Sequence, residues 1–225
     1  MSNDPASRLN DLFEAERAVR QAQADLADVA PAELLALLRA TIAAADADED
    51  RDDAAMRMAR AAELLGEIDG AEAVDLLIDV LASEEPEARL AAGETLEERA
   101  FSRFKEVALG VERALARLSV GSPALSELPY LLAEVPEPGV LPLLGRFLAH
   151  ADADAVACAI EALSEVGDPA ARAMLRERLA DKRTVELGDE SGDDATVTIG
   201  ELAREAISLL DQVAGPEPKR PRGRG

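Results

Sequence analysis

A block of sequence returns, with drift, every 31 to 36 residues. The stretches ELLGEIDGAEAVDLLIDVLA (63–82), YLLAEVPEPGVLPLLGRFLA (130–149) and EALSEVGDPAARAMLRERLA (161–180) superpose without a gap. Leu65, Leu132 and Leu163 fall together, as do Glu67, Glu134 and Glu165, then Ile68, Val135 and Val166, and finally Leu81, Leu148 and Leu179. A weaker copy places Leu96 and Glu98 in the same register. Recurrence at this length marks a two-helix unit that cannot bury its own apolar stripe and must lend it to its neighbours. The chain is therefore expected to stack unit beside unit rather than close around one centre.

Composition agrees with stacked helices. Apolar residues make up 48% of the chain and aromatics 2%, so the core must be built from Ala, Leu, Val and Ile. A sheet would call for more aromatic and β-branched residues. With no Trp, one Tyr and one His, the chain has few groups for ligand pockets or for acid and base chemistry. Its 46 acidic and 24 basic residues give a net charge of −22. That sign repels phosphate backbones and anionic bilayers, so neither nucleic acid binding through the body nor membrane binding is expected. The same charge also serves solubility or adaptation to salt. Cys158 is the single cysteine, which excludes an intrachain disulfide, and its apolar surroundings (156–160) predict a buried thiol. The opening MSNDPASRLND has no apolar secretory core and no long apolar run follows, so a cytoplasmic location is expected.

Residues 5–29 carry Leu9, Leu12, Phe13, Val19, Leu26 and Val29 at helical spacing, interrupted by Glu16 and Gln23. The pattern predicts a long helix within 1–30 that caps the open end of the stack. Five helix pairs are predicted over 31–213: 31–45 with 52–67, 70–82 with 86–99, 101–118 with 123–135, 137–149 with 152–166, and 168–181 with 200–213. Pro31, Pro86 and Asp152 are natural helix-start residues. Within the last pair, 184–187 and 196–199 are β-favouring runs around a Gly and Asp cluster, predicting a small projecting hairpin at 184–199. The tail at 214–225, with Lys219, Arg220, Arg222 and Arg224 among Pro and Gly, cannot bury enough apolar area to order itself and is expected to be disordered. It could fold back on the acidic body or touch a partner or nucleic acid.

GEIDGAEAV and SEVGDPAAR resemble HEAT repeats of the short prokaryotic kind, also found in phycobilin lyases, in which a Gly-Asp step and a Pro or Ala open the next helix. The resemblance spans about 31–213 and is clearest at Gly167, Asp168 and Pro169. Val135, Pro136 and Glu137 depart from it, and Arg99 stands where an apolar residue is expected. It implies an all-α fold: a right-handed α-solenoid of about five HEAT-like helix pairs, with the N-terminal capping helix and the hairpin insertion in the last pair. Within this family function is grafted onto the surface. Metal-dependent hydroxylases of related architecture hold iron with repeated His-Glu pairs, whereas His150 is followed by Ala151. Alkyl-base glycosylases of this class use aromatic walls and a basic groove, which this chain lacks.

Asp46, Asp48, Asp50 and Asp52 are spaced as in a calcium loop, but Arg51 and Arg57 stand where Gly and Glu are required; the run from Asp189 fails similarly. No catalytic, cofactor-binding or metal-holding residue is assigned. Glu67, Glu98, Glu134 and Glu165 recur near the ends of successive second helices and predict a column of carboxylates along the stack. Glu63, Glu94 and Glu161 flank it. The function expected is a non-catalytic protein-protein interaction scaffold or adaptor, whose acidic surface receives a basic patch or peptide of another protein. The alternative is an accessory subunit or lyase-type chaperone acting on a cofactor-bearing protein. Self-association is a further possibility.

Overall fold

The structure, a computed structural model, describes residues 4–187 and 195–213. The helices run α1 (Pro5–Ala27), α2 (Pro31–Asp46), α3 (Arg51–Gly66), α4 (Ala71–Leu81), α5 (Pro86–Arg117), α6 (Pro123–Ala133), α7 (Val140–Phe147), α8 (Ala153–Val166) and α9 (Ala171–Arg176). Strands β1 (Thr184–Leu187) and β2 (Ala195–Thr198) lead into α10 (Ile199–Val213).

Five pairs stack as an α-solenoid. The pairs are α2 with α3, α4 with the first part of α5, the second part of α5 with α6, α7 with α8, and α9 with α10. Second helices pack on second helices (α3 on α5, α6 on α8, α8 on α10), and first helices form the other layer (α2 on α4, α5 on α7, α7 on α9). The aligned leucines Leu65, Leu96, Leu132 and Leu163 are each 0% exposed, so the repeat in the sequence is a repeat in the core. Small residues let the layers approach closely. A methyl added at Gly110 on α5 would run into Val74 of α4.

Turns are made by residues with specific duties. Gly167, at φ 67°, closes α8 in the left-handed region that favours glycine. The next residue, Asp168, accepts from the Ala170 amide at 2.8 Å and opens the following turn, which is the physical content of the Gly-Asp step. Asp152 begins α8 as expected, accepting from the amides of Asp154 (2.9 Å) and Ala155 (3.2 Å). It is also 2% exposed and accepts from the Gly121 amide at 2.7 Å, tying α8 to the turn one unit earlier. The aspartates before α3 do the same kind of work. Asp50 accepts from the Asp53 amide and Asp48 from the Asp50 amide, so their alternation is helix capping.

Three expectations are corrected. First, the break between the helices expected at 86–99 and 101–118 lies at Arg103 (φ −144°, ψ 47°), where the two parts of α5 meet at a kink, rather than near residue 100. Arg99, one turn before this kink, is 5% exposed and donates to the carbonyls of Leu65 (3.0 Å), Gly66 (2.9 Å) and Ile68 (2.6 Å), closing the end of α3. Its other nitrogen reaches Glu106 at 3.0 Å, and Glu106 accepts from the Gly70 amide at 2.9 Å. Second, the helix expected over 168–181 is only α9, and Leu179 is consequently exposed. The chain must leave the helix there because the Gly200 amide docks on the Asp181 carbonyl and the Ile199 amide on that of Arg183. Third, the capping role of 1–30 is narrowed to its end. Leu26 and Val29 pack on the core, but α1 buries none of its residues, and Leu9, Leu12, Phe13 and Val19 stay exposed.

The hairpin is antiparallel, with Thr184 paired to Thr198 and Leu187 to Ala195. Its tip, with the run from Asp189, and the tail 214–225 lie outside the described residues. Among the described residues no helix is long and apolar enough to cross a membrane.

Candidate functional site

Charge is divided between the two layers. On the first-helix layer, arginines cross from unit to unit: Arg39 to Glu72 at 2.7 Å, Arg113 to Asp75 at 2.9 Å, Arg117 to Asp79 at 2.5 Å and Arg146 to Glu112 at 3.1 Å. The second-helix layer is left acidic. Glu63, Glu67, Glu94, Glu98, Glu134, Glu161 and Glu165 are all exposed there. Among the described residues Glu67, Glu94, Glu98, Glu134 and Glu165 have no ion-pair partner, Glu63 meets Arg60 of its own helix, and Glu161 accepts from the Tyr130 hydroxyl at 2.6 Å.

The structure brings some of these glutamates together and leaves others apart. Glu63, Glu67 and Glu98 line one cleft of about 330 Å³ with Asp69, whose carboxyl is held below its ordinary value by its hydrogen bond from Arg103. Glu94 lies in a second cleft of about 320 Å³ with Glu97, Glu127, Leu90 and Tyr130. Glu161 lies in a third, of about 370 Å³, between α8 and α10. Glu134, which ends α6, and Glu165, in the last turn of α8, line none of the three.

The third cleft is the feature that sequence reasoning missed. Ala157, Ile160, Leu202, Ala206 and Leu209 line it with Tyr130, and Asp154, Glu161, Glu186 and Glu205 complete it. Among the described residues no Lys, Arg or His contributes to it. Tyr130 also lines the second cleft, so the two adjoin at its ring. Partial burial, and then its hydrogen bond to Glu161, push the Tyr130 phenol above its ordinary value. Burial likewise raises the thiol of Cys158, partly buried on the same wall. The signals available in the sequence were the single tyrosine and the hairpin, which delivers Val185 and Glu186 to the cleft.

The third cleft therefore sets carboxylates beside aliphatic side chains and one phenol. Among the described residues that line the third cleft, the hydroxyl and thiol groups are those of Tyr130, Ser164 and Cys158, and the thiol is raised above its ordinary value by burial.

No curated protein matches the chain. Among solved structures, an engineered protein is similar at 19% identity, covering 88% of this chain and 90% of that one, with a TM-score of 0.34. Human deoxyhypusine hydroxylase in complex with glycerol is similar at 18% identity, covering 78% and 86%, with a TM-score of 0.33. Residues 129–186, from α6 through β1, match the family model of HEAT repeats. That stretch holds the Gly167-Asp168 step and the α7 and α8 pair, so the similarity to HEAT repeats falls on the part of the chain where the repeat is most regular.

Proposed function

We propose that this chain is a non-catalytic scaffold or adaptor whose second-helix face receives a basic, partly apolar segment of another protein. The partition of charge supports this reading: four arginines pair carboxylates across units on the first-helix layer, whereas on the second-helix layer, despite the Arg51–Glu85 and Arg89–Glu127 pairs, Glu67, Glu94, Glu98, Glu134 and Glu165 have no ion-pair partner among the described residues. Helix polarity adds to it. Glu67 and Glu134 end α3 and α6, and neither helix has a basic residue in its last turn. An anion at a helix C-terminus is unfavourable by about 0.3–1 kcal/mol, so its recurrence there is not a stability device.

Charge alone is insufficient. Exposed ion pairs contribute about 0–1 kcal/mol each, whereas micromolar affinity requires about 8 kcal/mol. The apolar surface of the clefts on either side of Tyr130 supplies what the glutamates cannot.

A fluorescent amphipathic peptide with Lys on one face and Leu on the other tests the reading by anisotropy at low and high salt. Glu161→Lys with Glu205→Lys, and separately Glu98→Lys with Glu134→Lys, should each weaken binding by about tenfold. The charge-matched control Glu72→Lys with Glu112→Lys, on the other layer, should leave it nearly unchanged. Equal losses from all three variants would reduce the effect to bulk charge and overturn the proposal.

A further inference from the structure

The ligand class named above occurs in the chain's own sequence. We infer that the basic segment 214–225 docks in the cleft between α8 and α10 and there competes with an incoming partner, an inference that rests on the cleft being the binding site. The two are chemically matched. The segment carries Lys219, Arg220, Arg222 and Arg224 against the single acid Glu217, with rings from Pro216, Pro218 and Pro221. The cleft offers Asp154, Glu161, Glu186 and Glu205, with no cation among the described residues, and Tyr130 beside aliphatic side chains. Proline-rich segments favour the polyproline II form, which has three residues per turn, so Pro218 and Pro221 fall on one face, as aromatic-lined grooves require.

Reach is sufficient. The segment begins where α10 ends, and α10 forms one wall of the cleft through Leu202, Glu205, Ala206 and Leu209. From Val213 back to the level of Leu202 is about 16 Å at 1.5 Å per helical residue. The six residues 214–219 span up to about 20 Å when extended, so the cations can lie along the whole cleft after a turn at Gly215 and Pro216. The other two acidic clefts are poorer hosts: Arg99 and Arg103 line the first and Arg89 the second. A short tether also gives an effective concentration of about a millimolar, so docking in cis with a dissociation constant a few times below that keeps the cleft mostly filled.

Cys158 lies in the cleft and is the single thiol, so its alkylation rate reports occupancy. In the full chain at low salt, iodoacetamide should modify Cys158 about fivefold more slowly than in a variant with Lys219, Arg220, Arg222 and Arg224 all replaced by Ser, the difference closing at high salt. A chain ending at Gly215 should behave as the Ser variant does, and adding the synthetic 214–225 peptide to it should restore protection. Glu161→Lys with Glu205→Lys should abolish that restoration. Equal rates in the full chain and both tail variants at low salt would overturn the inference. So would protection that survives the Glu161→Lys and Glu205→Lys reversal. The Lys/Leu peptide separates the two readings: if it protects Cys158 in the shortened chain while the 214–225 peptide does not, the tail inference fails and the partner site stands. If neither protects, both fall.

Discussion

Replacing Arg99 with Met probes the junction at which the repeat pattern is most irregular. The side chain is isosteric enough to fill the space, but it withdraws the donors that Leu65, Gly66, Ile68 and Glu106 use. The bonds to Leu65 and Ile68 are buried, and a buried carbonyl left without a partner costs about 1–3 kcal/mol. Apolar packing by Met offsets part of this, while Glu106 keeps the Gly70 amide. A net loss of about 3 kcal/mol is expected, at the low end of the 3–5 kcal/mol range for removing one partner of a buried pair. Arg39→Met serves as the reference. Arg39 and Glu72 are 59% and 46% exposed, so breaking that pair should cost about 1 kcal/mol at most. Arg99→Lys should recover only part of the loss, because one ammonium cannot fork to three carbonyls. Urea unfolding followed by circular dichroism reads the global effect. Hydrogen exchange at the amides of 66–70 reads the local one, which matters because stacked repeats can open in parts. If Arg99→Met matches Arg39→Met, or is more stable than the parent, the assignment of Arg99 as the clasp between units is wrong.

Two further outcomes are expected. The Asp181 carboxyl is held below its ordinary value by hydrogen bonds from the Arg183 guanidinium and amide. A lowered folded pKa means its stabilisation is present above the unfolded value near 3.9 and disappears as pH falls through the folded one. A carboxyl NMR titration should therefore show Asp181 titrating low, and Arg183→Gln should move it upward; no movement would remove Arg183 as the cause. On α1, Leu12 is 54% exposed, so Leu12→Gln should change unfolding free energy by less than about 0.5 kcal/mol. A loss above about 1 kcal/mol would mean that α1 covers apolar surface in solution, and light scattering at two concentrations would show whether a second copy provides it.

The fold was legible because its period is long, gapless and tied to burial: Leu65, Leu132 and Leu163 align in the sequence and vanish together into the core. Helix starts were legible for the same local reason, since Pro31, Pro86 and Asp152 act within a residue or two of themselves. What could not be read depends on partners about one unit away. Arg99 looked like a misplaced charge because its carbonyl partners lie 31 to 34 residues earlier. Asp152 showed its cap but not its bond to Gly121, and α9 looked longer than it is because Gly200 docks on the Asp181 carbonyl from across the hairpin. The recurrence of the glutamates was visible in the sequence; the cleft was not, since Tyr130, Glu161, Glu186 and Glu205 come from four separate elements.

That distinction explains why the second-helix face is uneven. A repeat sets one residue type at one place per unit, which yields a uniform strip of charge, and a uniform strip selects for sign but not for shape. Shape enters where the repeat is broken: at the bend of α5, at the single tyrosine of α6, and at the hairpin between α9 and α10. The last two breaks meet at the third cleft, where Tyr130 and Glu186 both contribute. Specificity should accordingly concentrate there, so that Tyr130→Ala weakens a cognate segment far more than it weakens a generic basic peptide, while Glu98→Lys weakens both alike. Equal sensitivity of the two ligands to Tyr130→Ala would mean that the strip alone does the binding.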